Sequence, residues 1–152
     1  SYPDIRLTLV GRPKPGGDTE KLIASLGLGD VVESFKGISH EEMVQKYASA
    51  SVAVVPSIYE GFGLPAVEAM ACGVPLVSTD GGALAEVVED AGLVVPAGDS
   101  DALAAAIRQL FEDDQLRADY ASRGLSRAEQ HFCWNRCAER MEAYYRECIA
   151  AC

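Results

Sequence analysis

Two carboxylates, Glu60 and Glu68, bracket the run Gly61-Phe62-Gly63-Leu64-Pro65 and carry the strongest chemical signal in this 152-residue chain. Two glycines straddling one aromatic residue allow the backbone to approach a ligand closely. Pro65 suits the first position of a helix, which leaves the amides of Gly63 and Leu64 pointing outward, and a helix start of this kind receives an anion such as a phosphate. Neither carboxylate has a basic neighbour in sequence, and a carboxylate beside a phosphate is unfavourable unless it faces something else. Carboxylates only accept hydrogen bonds, and paired sugar hydroxyls can supply them, as ribose does to an acidic residue in dinucleotide-binding folds. A ligand with phosphate in its middle and a diol at each end satisfies every group. A plainer reading of the same residues makes Glu60 a loop charge and Glu68 a solvated helical one.

The elements that must position this run alternate short β-branched stretches with helical ones. Ile5–Val10 predicts a strand, ended by Gly11 and the Pro/Gly-rich loop 12–17. Asp18 or Thr19 would cap a helix through about Leu26. Val31–Phe35 follows as a second strand. Ser39 with Glu42 three residues on forms a capping-box pattern that opens a helix to Ala48. Val52–Val55 is wholly apolar, as strands of a parallel sheet covered on both faces are. The loop Pro56–Gly63 then leads into a helix from Leu64 to Cys72. Pro75–Ser78 is the next strand, Asp80–Gly82 a turn, Ala83–Val88 a short helix and Leu93–Val95 a last strand. Beyond Asp99 the pattern is helical: Asp101–Glu112, Asp114–Gln130 and Trp134–Ile149. Such alternation with short loops predicts an open α/β sheet, mostly parallel, wound with helices on both faces. In such sheets ligands bind beyond the carboxyl ends of the strands, where the loops Gly11–Gly17, Pro56–Gly63 and Thr79–Gly82 should meet. The chain opens almost directly in a strand, where a doubly wound domain usually has an earlier βα unit, so the segment reads as part of a longer chain.

Composition narrows the function classes. Thirteen basic and 23 acidic residues leave a net charge of −10, and no Lys or Arg occurs between Tyr47 and Ile107. A polyanion needs a basic stripe, so nucleic acid is not an expected partner. Apolar runs such as Val52–Pro56 fall far short of the ~20 residues needed to cross a bilayer, and no secretory signal opens the chain. Four of five cysteines, Cys133, Cys137, Cys148 and Cys152, lie in the last twenty residues as two i, i+4 helical pairs. On a straight helix the pairs would stand about 22 Å apart by rise, too far for one zinc ion. With Trp134, Met141, Tyr145 and Ile149 they fall largely on one apolar face, which predicts buried, reduced thiols and a cytoplasmic protein. His40 and His131 read as cap and packing residues.

The run Glu60 to Glu68 with Gly-Phe-Gly-Leu-Pro between them, then Glu68-Ala-Met-Ala-Cys-Gly-Val-Pro-Leu-Val, Gly81-Gly82-Ala83 and Glu86-Val87-Val88, resembles the retaining glycosyltransferases of family four. The likeness extends from Pro3-Asp4-Ile5-Arg6-Leu7 through Phe35-Lys36-Gly37 and Val95-Pro96-Ala97-Gly98-Asp99 to His131-Phe132-Cys133-Trp134. Enzymes of that family have two Rossmann-like halves, the GT-B arrangement. The resemblance therefore implies that residues 1–152 are a single nucleotide-sugar-binding domain, the C-terminal half of a GT-B fold, without its first βα unit and without the acceptor-binding N-terminal domain.

The resemblance also implies roles. Glu60 would face the transferred sugar as the catalytic carboxylate. The backbone of Gly61, Phe62, Gly63 and Leu64 would hold sugar hydroxyls and the distal phosphate, and Glu68 would accept from the ribose. The base would lie against Gly37 and Ile38, the turn after the second strand. The donor would be a nucleotide-diphosphate sugar, a UDP-sugar or GDP-sugar of hexose type, bound without a cofactor or metal ion. Two departures stand out. The family's diphosphate-binding Arg and Lys belong to a βα unit that would precede Ser1, and Arg12 and Lys14, in the wrong context, read instead as a solvated turn. The acceptor half, with its His, is likewise absent. The family's C-terminal segment crosses back to that half, so the last helix should expose an apolar side that favours self-association, and contact of the full-length protein with a membrane surface stays open. The other readings are a non-catalytic nucleotide-sugar binding or assembly module of the same fold and, further off, a nucleotide-sugar epimerase, which would not be expected to carry the paired glutamates.

Overall fold

The computed structural model describes residues 4–11 and 13–151, which leaves Arg12 and Cys152 outside the described residues. The chain divides into two compact units, Ser1–Lys46 and Tyr47–Cys152. In the first, β1 (Leu7–Val10) pairs in parallel with β2 (Val32–Phe35), and α1 (Asp18–Ser25) makes the crossover that parallel strands require. The residue before α1 is Gly17, not a side-chain cap at Asp18 or Thr19. The helix begins at Asp18 itself, and the Glu20 carboxylate reaches back to the Gly16 amide at 2.6 Å. The capping box before α2 (His40–Ser49) forms as expected: Ser39 Oγ accepts from Glu42 N at 3.2 Å, and the Glu42 carboxylate accepts from Ser39 N at 2.7 Å. His40 is therefore the first helical residue, and Ser39 is the cap.

The second unit carries three parallel strands in chain order, β3 (Ala53–Val55), β4 (Leu76–Thr79) and β5 (Leu93–Val95). Between them run α3 (Leu64–Ala71) and α4 (Leu84–Val88). Every residue of the central strand β4 is buried. Alternation along a strand sends neighbours to opposite faces, and the packing follows it. Leu76 joins Ala66, Ala69 and Met70 of α3 and Leu84, Val87 and Val88 of α4, whereas Val77 packs with Ala106 and Leu110 of α5 (Ser100–Glu112). Parallel strands flanked by helices are thus the observed class, with the pairing shared between a two-stranded and a three-stranded sheet.

Local chemistry sets the element ends. The left-handed Gly73 (φ 66°) closes α3, with the Val74 amide donating to Ala69 O and the Gly73 amide to Met70 O, at 3.1 and 2.9 Å. Asp99 caps α5 through the amides of Asp101 and Ala102, and Asp113 caps α6 (Asp114–Arg127) through Leu116 N. A Cβ on Gly124 would lie 3.2 Å from Met70 Cγ, so glycine is what lets α6 lie close over α3.

The predicted helix Asp114–Gln130 ends early: Ala128–Phe132 is a π-turn. One extra residue per turn re-aims the side chains, burying Ala128 and half-burying Phe132 against the core. The final helix, α7 (Trp134–Ala150), buries no residue. Its thiols correct the sequence expectation: Cys133, Cys137 and Cys148 are exposed and free, and Cys72 is half-buried. The apolar stripe that carries them meets no facing element among the described residues, so helical periodicity identified the face but not its burial. No helix among the described residues is long and apolar enough to cross a membrane.

Candidate functional site

Glu60, Gly61, Phe62, Gly63, Leu64 and Glu68 come together where β3 gives way to α3, at the carboxyl end of its strand. Gly37 and Ile38 follow β2 in the other unit, where Gly37 adopts φ 67°. Helical bonding in α3 starts with the amides of Ala66 and Val67 donating to Gly63 O at 2.9 and 3.1 Å. Pro65, the second helical residue and not the first, has no N–H, so the Gly63 and Leu64 amides precede the first helical bond. Gly63 is itself left-handed (φ 96°), and a Cβ there would sit 3.0 Å from Leu84 Cδ2. Only glycine turns the chain into α3 at that distance from α4.

The loop carrying Glu60 is clamped from below by the segment after β4. Thr79 Oγ1 donates to Ser57 O, and Ala83 N donates to Glu60 O at 3.0 Å. A Cβ on Gly81 would collide with the Ser57 and Ile58 carbonyl oxygens, and one on Gly82 with the Glu60 carbonyl oxygen. The paired glycines therefore serve as the floor on which Glu60 rests, a role that their place after a strand does not by itself disclose. Above that floor the Glu60 carboxylate is half-buried and accepts from Ser57 Oγ at 3.3 Å. Ile58, Tyr59, Phe62 and Leu64 form an exposed crest beside it. Asp80 ties the next loop down by accepting from Ala97 N at 2.7 Å.

Glu68 lies one turn into α3, exposed, and meets a residue that the sequence reading missed. The Tyr47 hydroxyl stands 3.2 Å from Glu68 Oε2 and 3.3 Å from Pro65 O, positioned to donate to either. Burial, reinforced by the Glu68 charge, pushes the Tyr47 phenol well above its ordinary value, so it remains a donor across the physiological range. The Cys72 thiol is pushed up by the same two causes in the same order. Twenty-one residues separate Tyr47 from Glu68, and no local pattern pairs them.

His131 lies on the π-turn, exposed, with its ring 6.3 Å from that of its neighbour Phe132, so it is not the packing residue the sequence suggests. Lys14 is exposed on a turn closed by Gly17 N donating to Lys14 O at 2.8 Å. Among the described residues no group of three or more His, Cys, Asp or Glu could hold a metal ion. The arrangement offers two acceptors for hydroxyl pairs, separated by a helix start that presents amides to an anion.

Residues 1–127 match the family described as glycosyl transferases group 1. The chain is 46% identical over 151 residues to an MMP alpha-(1->4)-mannosyltransferase of Mycolicibacterium hassiacum, covering 97% of this chain and 36% of that protein. Among solved structures, sucrose-phosphate synthase from Thermosynechococcus elongatus superposes with a TM-score of 0.83 at 37% identity, over 97% of this chain and 39% of that one. Anabaena HepE in complex with UDP-glucose superposes with a TM-score of 0.80 at 29% identity, over 93% of this chain and 42% of that one. The chain thus spans less than half the length of each of these relatives.

Proposed function

The chain belongs to the glycosyl transferases group 1, and from that premise we propose that it is the donor-binding domain of a retaining enzyme that moves a hexose from a nucleotide-diphosphate sugar to an acceptor. The observation that carries the reading is the placement of Glu60 and Glu68 on either side of the amide-bearing start of α3, above a glycine floor. In this reading Glu60 faces the sugar, the amides of Gly61 to Leu64 meet sugar hydroxyls and the distal phosphate, and Glu68 takes the ribose hydroxyls. The diphosphate is held without a metal ion, its charge met by the helix start and by cations of a βα unit preceding Ser1. The half-exposed Leu7 and Val10 of β1 support such a unit, because a parallel strand normally has both faces covered. Among the relatives, one is a mannosyltransferase and another was solved in complex with UDP-glucose, which supports a UDP- or GDP-linked hexose as donor. A cytoplasmic site of action, where such donors would be met, completes the proposal.

Calorimetry of the full-length protein with UDP, GDP, UDP-glucose and GDP-mannose tests it. A hydrogen bond to a charged group contributes about 1.5–3 kcal/mol, so Glu68→Ala should weaken nucleoside diphosphate and sugar donor alike by roughly ten- to a hundred-fold. Glu60→Ala should leave the bare nucleoside diphosphate nearly unaffected and lower turnover more than donor affinity, because its contact strengthens as charge develops on the sugar. Equal losses of nucleoside diphosphate in both variants would overturn the division of roles. No loss in either would return both residues to solvated charges.

A further inference from the structure

The Arg127 side chain is only 13% exposed, and its hydrogen bonds go to the far end of α4. Its Nε donates to Val87 O at 2.6 Å, its Nη2 to Glu86 O at 2.7 Å and its Nη1 to the Glu89 carboxylate at 2.8 Å. Both carbonyls belong to the last turn of α4, where helical C=O groups lack partners and a cation is favoured. Glu89, which follows that turn, has φ 46° and ψ −123°, a conformation suited to glycine at the head of a II′ turn, and Ala91 N closes the turn on Val88 O at 3.0 Å. A non-glycine residue persists there only where its surroundings hold it. Arg127 supplies that hold.

The opposite end of α4 is what supports the donor loop: Ala83 bonds Glu60 O, and Leu84 limits the space at Gly63. A second connection runs through the π-turn that follows Arg127. The guanidinium lies 5.7 Å from the Phe132 ring centroid, and Phe132 meets Phe62 edge-on at 6.0 Å and 87°. One guanidinium therefore bears on both flanks of the loop, through α4 beneath Glu60 and through Phe132 beside Phe62. We propose that Arg127 is a positioning residue for sugar transfer, fixing Glu60 and Phe62 through α4 and Phe132. The inference rests on reading residues 57–64 as the donor loop. Glu68 takes its hydrogen bond from Tyr47, so binding of the bare nucleoside diphosphate should be spared when Arg127 is lost.

The experiment uses the full-length protein and whichever of UDP-glucose or GDP-mannose it turns over, with calorimetry of the matching nucleoside diphosphate. Because a misplacement of about 1 Å can cost two orders of magnitude in rate, Arg127→Met should lower kcat by roughly tenfold or more while leaving KM for the donor and nucleoside diphosphate affinity within about threefold. Arg127→Lys keeps the charge but not the planar three-way fork, and should fall between that variant and the native protein. Phe132→Leu should lower kcat in the same manner, which preserves the test should Arg127→Met fail to fold. Asp114→Asn removes an exposed ion pair with Arg117 and should change nothing. Native-like kcat in Arg127→Lys and Phe132→Leu, with Glu60→Gln inactive, would overturn the role of Arg127 alone. A fall in nucleoside diphosphate affinity that matches the fall in kcat would show ordinary structural support and overturn it too. Full activity in Glu60→Gln, or no binding of UDP, GDP or either donor by the native protein, would remove the donor-loop reading and this proposal with it.

Discussion

Tyr47 keeps its proton well above the pH at which an exposed tyrosine loses one, chiefly through burial and secondarily through the Glu68 charge. A phenol whose folded pKa is raised binds more protons in the native state than in the unfolded one once the pH passes its ordinary value of about 10. Its contribution to stability is therefore complete below that pH and is lost as the pH climbs beyond it. Urea titrations at pH 8 to 11 should show stability declining more steeply above pH 10 in the native chain than in Tyr47→Phe. Parallel declines would mean that the phenol is not held as described. At this scale the two glutamates were legible because carboxylates at fixed spacing around glycines have a chemical meaning of their own. Tyr47 was not, since its contact with Glu68 exists only after α2 is followed by β3 and α3.

Among the elements, the turn after β4 decides the geometry of the loop carrying Glu60. Gly73 and Gly82 share nearly the same φ, 66° and 65°, but their surroundings differ. A Cβ at Gly73 meets open space, whereas one at Gly82 meets the Glu60 backbone. Alanine at Gly73 should therefore cost only the left-handed strain, about 1 kcal/mol. Alanine at Gly82 adds a backbone collision, and should cost about 2–4 kcal/mol together with measurable loss of sugar-donor affinity. Denaturant midpoints of the two variants, read beside donor calorimetry, separate the contributions. Equal destabilisation would mean that the Gly82 floor yields at little cost.

For the molecule as a whole, the last helix is the apolar surface left uncovered among the described residues. Trp134 is 88% exposed and Ile149 76%, with Met141 and Tyr145 more than half exposed along the same helix. An apolar stripe of this kind associates when its partner surface is missing. The 152-residue chain alone should self-associate in sedimentation experiments, and Trp134→Glu with Met141→Glu should return it towards monomer. A native chain that stays strictly monomeric at high concentration would contradict this. The chain alone should also transfer no sugar, since the cations for the leaving diphosphate and the floor for the acceptor are proposed to lie outside it, and stabilising developing charge is usually the largest catalytic contribution.

What the sequence determined by itself was local in origin. The strand–helix order follows from hydrophobic period, the α2 cap from Ser39 and Glu42, and the candidate donor loop from Glu60, Glu68 and the glycines between them, because each depends on neighbours a few residues away. Tertiary structure alone decided the rest. Gly81 and Gly82 became a floor because β3 and β4 are adjacent, which brings Ser57–Glu60 against Thr79–Ala83. Arg127 became a clamp because α6 lies over α3 and places a guanidinium 40 residues onward at the Val87 carbonyl. The α7 cysteines proved exposed because the periodicity of a stripe records which residues share a face, whereas burial depends on what lies opposite. Contacts between residues distant in the chain leave no spacing to read, and they are what holds this site in shape.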